Sequence, residues 1–154
     1  MIAPEWKELR VKADLAEIER VRDFLRRMMH GIIFAEEETI KLELALHEIF
    51  VNVVMHAYPD REGDMTIRIR SDESALCIEI RDRGIPFNPD EIPPVDLEKK
   101  IQLGTRGGLG IYLFKTLMDE YSYKRDGDEN VLTICKLIRQ EPIPRIDSKF
   151  EIEN

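Results

Sequence analysis

At 154 residues and 18.0 kDa the chain has the size of one ordinary domain, large enough to bury about two thirds of its unfolded surface without disulfide staples. With 43% apolar and 35% charged residues and only eight glycines and eight prolines, it is neither disordered nor fibrous. Twenty-three basic against thirty-one acidic side chains give a net charge of -8, a field that repels phosphodiester backbones and argues against nucleic acid as a partner.

The opening MIAPEWKELR lacks the basic and apolar regions of a signal peptide, and no apolar run approaches the roughly 18 residues of a membrane span. A cytoplasmic chain without a membrane partner is expected. Residues 8–13 alternate weakly like a strand, and Asp14 with Glu17 offers an N-cap and a capping-box partner for a helix. Leu15, Ile18, Val21, Leu25, Met28 and Met29 then recur at helical spacing until Gly31. That face either covers a sheet or, through its methionines, forms a dimer or partner surface. A second helix is expected from about Ala35 to Tyr58, apolar and buried in its later half and stopped before Pro59.

Two alternating runs, MTIRIRS (65–71) and ALCIEIR (75–81), read as a hairpin. Residues 83–106 have no periodicity and contain several prolines, as expected of a functional lid loop. Helical period returns from Leu109 to about Tyr121, and YSYKR (121–125) and VLTICKLI (131–138) flank the turn Asp126-Gly127-Asp128. Helices followed by paired strands indicate an α+β fold, a two-layer sandwich with a mixed, mostly antiparallel sheet covered on one face by helices. Residues 1–140 should form one domain, with 141–154 a C-terminal tail. Cys77 and Cys135 sit in separate apolar strands with no cysteine nearby to build a metal clip, so two reduced, core-packed thiols are expected.

Three groups of residues could carry chemistry. On the second helix Glu48, Asn52 and His56 recur every four residues and share one face. Left unpaired among apolar neighbours each polar group costs about 1–3 kcal/mol, so the face either opens on a polar site or joins a hydrogen-bond network. A carboxylate beside a neutral oxygen ligand suits a magnesium ion and a reacting hydroxyl. His56 reads as structural, and His30 and His47 carry no signal. At the end of the second hairpin strand, Asp82-Arg83-Gly84 places an acceptor for a ligand amine beside a glycine that admits a flat ring, although such a triplet is also an ordinary turn. Gly104-Thr105-Arg106-Gly107-Gly108-Leu109-Gly110 leads into a helix, where exposed amides, the helix dipole and Arg106 would favour a phosphate; it reads equally as a glycine hinge. It is not a P-loop or a G-x-G-x-x-G, and no HRD or DFG element is present.

The order E-x-x-x-N, strand-end D-x-G, then a glycine turn into a helix resembles the Bergerat-fold ATPases of gyrase, MutL and sensor histidine kinases. Within that superfamily HEIFVNVVMHAY, IRDRGIPFNP and GGLGIYLFKTLMDEYSY most resemble the bacterial anti-sigma-factor serine/threonine-protein kinases, over about residues 9–138. The resemblance implies ATP and Mg2+ as cofactors, Asn52 as the magnesium ligand and Glu48 as the base for the attacking hydroxyl. It implies that Asp82 binds the adenine amine with Gly84 beside the ring. Arg106 would meet the γ-phosphate, and the amides of Gly107, Gly108, Leu109 and Gly110 would cradle the phosphates under a lid of residues 88–106. The partners it implies are an anti-anti-sigma protein, phosphorylated on a hydroxyl, and a sigma factor, sequestered by an ATP-bound homodimer. An ATP-binding sequestering module without kinase activity and a slow ATPase are the alternatives. Ala57 stands where the family often has glycine, and a single helix ahead of residue 35 leaves no phosphoacceptor hairpin of a complete histidine kinase.

Overall fold

A computed structural model describes residues 5–32, 34–58, 62–86, 88–89 and 115–138. Strand β1 (Lys7–Lys12) leads to Asp14, whose Oδ1 accepts from the Ala16 amide at 2.9 Å and caps a 3-10 turn, Leu15–Glu17. The turn runs into α1 (Ile18–Met29). The expected capping box does not close, because the Glu17 carboxylate pairs with Arg20 at 2.8 Å instead. Beyond the last turn of α1, Gly31 takes φ +85°, a left-handed conformation that glycine adopts without a Cβ penalty.

Helix α2 (Glu36–Asn52) continues without a break into a π-helical turn, Val53–Ala57. Strands β2 (Asp64–Ser71) and β3 (Ala75–Asp82) follow, turned by Asp72, whose Oδ1 accepts from the Ser74 and Ala75 amides at 2.7 and 3.0 Å. The last pair, β4 (Glu120–Asp126) and β5 (Glu129–Leu137), turns through Gly127 at φ +62°. The sheet has the order β1-β2-β3-β5-β4 with every pairing antiparallel. Placing β5 inside the sheet sets it beside β3, from Asp82 opposite Asn130 at one end to Leu76 opposite Lys136 near the other.

Period-two alternation gives the sheet one apolar face, on which Val11, Met65, Ile67, Ile69, Leu76, Ile78, Ile80 and Ile134 are buried. Both helices lie against it: Val21, Phe24 and Leu25 from α1, and Leu42, Ala45, Leu46, Ile49 and Phe50 from α2. Each such side chain contributes about 1.5–3 kcal/mol by leaving water. The expected α+β two-layer sandwich is therefore what forms. Met28 and Met29 pack against this core, so the methionine end of α1 covers the sheet. The later half of the expected second helix is less buried than its composition suggested, because a helix buries one stripe and Met55, in the π-helical turn, faces outward, 54% exposed.

The opposite sheet face is polar. Trp6 lies under the guanidinium groups of Arg68 and Arg70, 5.1 and 4.7 Å from its ring centre, and Glu79 is held between Arg68 and Arg81. Burial pushes the Glu79 carboxyl up, but its bonds to Arg81 and Arg68 outweigh this and hold it below the usual range. Cys77 and Cys135 correct the expectation of free thiols: they oppose each other across β3 and β5, Cα atoms 4.2 Å apart, and are joined as a disulfide. Strand periodicity showed where each cysteine lay, but only the adjacency of β3 and β5 made them register partners.

Candidate functional site

The site is assembled where the last turns of α2 meet the ends of β3 and β5. A cleft lies there, lined among others by Asn52, His56, Ala57, Asp82, Tyr123 and Asn130. Asn52 closes α2 on the same face as Glu48, one turn earlier, and both side chains are half-buried. Among the described residues neither has a hydrogen-bond or ion-pair partner, so the helix does not spend these groups on an internal network. His56 is exposed at the cleft edge. It lies in the π-helical turn, a widening of the helix that commonly marks a functional site.

That turn is fixed from two sides. The Tyr58 hydroxyl donates to the Asp64 carbonyl at 2.8 Å and accepts from the Arg83 amide at 2.7 Å, tying the end of α2 to β2 and to the exit of β3. Gly84 passes so close beneath Ala57 that a Cβ at residue 84 would overlap the Ala57 carbonyl and Cβ, while the Ile85 amide donates to that carbonyl at 3.0 Å. The need for glycine in Asp82-Arg83-Gly84 is thus met by this close backbone packing.

Asp82 ends β3 pointing to the helix side of the sheet and is 6% exposed. Its Oδ1 accepts from the Gly84 amide at 2.9 Å and from Asn130 Nδ2 at 2.8 Å, and its Oδ2 accepts from no described residue. Burial pushes this carboxyl above its usual range, only partly offset by the bonds from Asn130 and Gly84. A carboxylate short of donors at the base of a cleft is an acceptor held ready for a ligand N–H.

Three residues that the sequence reading passed over hold Asp82 and its loop. Asn130 also donates to the Ile85 carbonyl at 2.9 Å, the Tyr123 hydroxyl donates to Asn130 Oδ1, and Arg125 donates to the Gly84 carbonyl at 2.9 Å. A signal for Asn130 was available, since it occupies the inward phase of β5 shared by Leu132 and Ile134, where a polar residue needs a partner. The structure therefore brings Asn52 and Asp82 to one cleft, with Gly84 packed against Ala57 beside it and Glu48 a turn away along α2. Arg106, Gly107, Gly108, Leu109, Gly110 and the greater part of the expected lid lie outside the described residues. Of the expected third helix, residues 109–121, those from 115 on are described: 115–117 are helical, and the chain then enters β4 at Glu120, so the helix ends short of Tyr121.

The histidine kinase-like ATPase domain family matches residues 11–136, and the chain belongs to that family of ATP-binding domains. It is 29% identical over 140 residues to serine-protein kinase RsbW of Bacillus mycoides (strain KBAB4), covering 88% of this chain and 87% of that protein. It is 28% identical, with the same coverage, to serine-protein kinase RsbW of Bacillus cereus (strain ATCC 10987 / NRS 248). The crystal structure of the RsbU and RsbW domains of Rv1364c from Mycobacterium tuberculosis shares the fold, with a TM-score of 0.55 and 16% identity over 86% of this chain and 33% of that chain. Among the described residues no helix is long and apolar enough to cross a membrane.

Proposed function

We propose that this chain is an anti-sigma regulatory factor with ATP-dependent protein serine/threonine kinase activity, which phosphorylates an anti-anti-sigma partner and sequesters a sigma factor in the cytoplasm. The observation that carries the proposal is the pair Glu48 and Asn52, half-buried, one turn apart and without a hydrogen-bond or ion-pair partner among the described residues, with Asn52 lining the cleft that holds Asp82. The relatives named serine-protein kinases support the same reading.

In this reading Asp82 Oδ2 accepts the adenine amine, and the loop at Gly84 lies against the ring. Glu48 takes the proton of the acceptor hydroxyl as that oxygen attacks the γ-phosphorus, and the bond to the β-phosphate oxygen breaks with ADP leaving. Asn52 offers the neutral oxygen that a magnesium ion accepts when its remaining ligands are phosphates and water, and that ion would neutralise charge on the phosphoryl oxygens. Arg106 contacts the γ-phosphate, and the amides of Gly107, Gly108, Leu109 and Gly110 hold the phosphates. A homodimer is the state in which the sigma factor would be bound.

The test is to capture the protein with its native partners, add Mg-ATP and follow each chain by intact mass, with Glu48→Gln in parallel. One added phosphoryl group on a partner is expected with the wild type, and a rate lower by roughly 10²–10⁴-fold with Glu48→Gln at unchanged ATP binding. Partners that stay bound but unmodified would instead identify an ATP-gated sequestering module. Phosphate released steadily without any partner would identify a slow ATPase.

A further inference from the structure

A helix that covers a sheet ordinarily turns its apolar residues inward and its charged residues out. Helix α2 does both, with Leu42, Ala45, Leu46, Ile49 and Phe50 at 0–2% exposure, yet its outer face is not simply polar. Ile40 is 57% exposed and Leu44 38%, one turn apart, and half-buried Val51 continues their line two turns on. Glu48 flanks that line between Leu44 and Val51, with Leu44 about 6 Å and Ile40 about 12 Å away along the axis. Two exposed aliphatic side chains aligned beside a carboxylate that has no partner among the described residues form an ordered surface rather than scattered apolar residues. Glu36 and Glu37, both exposed in the first turn, give it an acidic border in a chain already at -8.

We propose that the Ile40–Leu44 stripe of α2 is the docking surface for the phosphoacceptor protein, which meets it with an apolar patch bordered by basic side chains. The inference rests on the kinase reading. A hydroxyl on a folded protein can reach Glu48 only if its carrier is seated against neighbouring surface, and this stripe is the apolar surface that runs directly up to Glu48 on its own helix. Apolar contact supplies affinity, and the acidic border selects a basic rim and speeds encounter.

The acceptor for the test is the anti-anti-sigma protein phosphorylated by the wild type in the experiment above. Transfer to it is measured with wild type, with Ile40→Ser/Leu44→Ser and with Glu36→Lys/Glu37→Lys, alongside thermal melting, binding of a fluorescent ATP analogue and sedimentation. Because the residues replaced are exposed, melting and nucleotide binding should match wild type. The serine pair should raise the acceptor KM by roughly 10-fold or more with little change in kcat, as loss of uniform binding does. The lysine pair should raise it less and lose its effect at high salt. Should the serine pair prove unstable, Ile40→Gln alone provides the same comparison. An unchanged KM in a folded variant overturns the proposal. So does a variant that changes only the sedimenting mass, which would assign the stripe to a second copy of the chain, or one that changes only nucleotide affinity, which would assign it to the nucleotide site. If the wild type phosphorylates no partner, the kinase reading itself fails, an outcome distinct from an altered variant.

Discussion

The two ends of the β3–β5 ladder bury charge in opposite ways. Near one end Lys136, 6% exposed, donates to the Leu117 carbonyl at 2.9 Å and lies 2.6 Å from Glu38 and 3.5 Å from Asp119. This binds the start of α2, the helical residues 115–117 and β5 into one cluster. At the other end Asp82 is as deeply buried, but its closest partners are a neutral amide side chain and a backbone N–H. Pairing with Lys136 holds the Glu38 carboxyl below its usual range, whereas burial drives Asp82 above its own. The difference separates structure from readiness: a buried ion whose needs are met holds the layers together, and one left short of donors is the group to which the proposed function assigns a ligand.

Breaking the satisfied end should have the largest effect. Lys136→Met leaves Asp119 without its buried cation and Glu38 with only the half-exposed Lys41, 3.4 Å away, and should cost about 2–4 kcal/mol in urea unfolding, somewhat below the full penalty of a broken buried pair because both carboxylates keep some solvent. The contribution of Glu38 in the wild type is present above the usual carboxylate range and is lost as pH falls through its lowered value. The variant should therefore lose less stability on acidification, measured by repeating the unfolding in acid.

Gly84→Ala tests the packing of the other end. Its Cβ meets backbone rather than a flexible side-chain tip, so the loop must shift away from Ala57. A loss of about 1–3 kcal/mol in thermal or urea unfolding is expected, together with weaker ATP binding because Asp82 moves with the loop.

Asp82→Asn should scarcely disturb the free protein. A carboxyl whose folded value is raised destabilises the fold as pH rises past its unfolded value, so at neutral pH the amide should leave stability unchanged or slightly higher. ATP binding, measured by titration with a fluorescent analogue, should weaken roughly 10- to 100-fold through loss of a charge-assisted acceptor. In the wild type that affinity should begin to fall on acidification above the ordinary aspartate range, and the variant should lack this dependence.

Legibility in the sequence followed the range of the interaction. Strands β2 and β3 were readable within a residue because alternation is local, and so was the helical phase that places Glu48 and Asn52 on one face. The end of α2 in a π-helical turn was not, because no residue in VVMHA demands it; the turn answers to Tyr58 and Gly84, which arrive from elsewhere. Asn130 was passed over because its importance lies in a bond to Asp82, 48 residues away.

By itself the sequence determined the element types, the apolar face of each, the approximate turns, and the residue types with which the chain can bind a nucleotide. Those properties depend on spacing within a few residues, where backbone geometry leaves little choice. Only the tertiary structure decided that β5 enters the sheet beside β3, which makes Cys77 face Cys135, sets Asn130 against Asp82 and places Lys136 under the start of α2. These outcomes depend on which strands become neighbours, and that is settled by burying the apolar faces of both layers together.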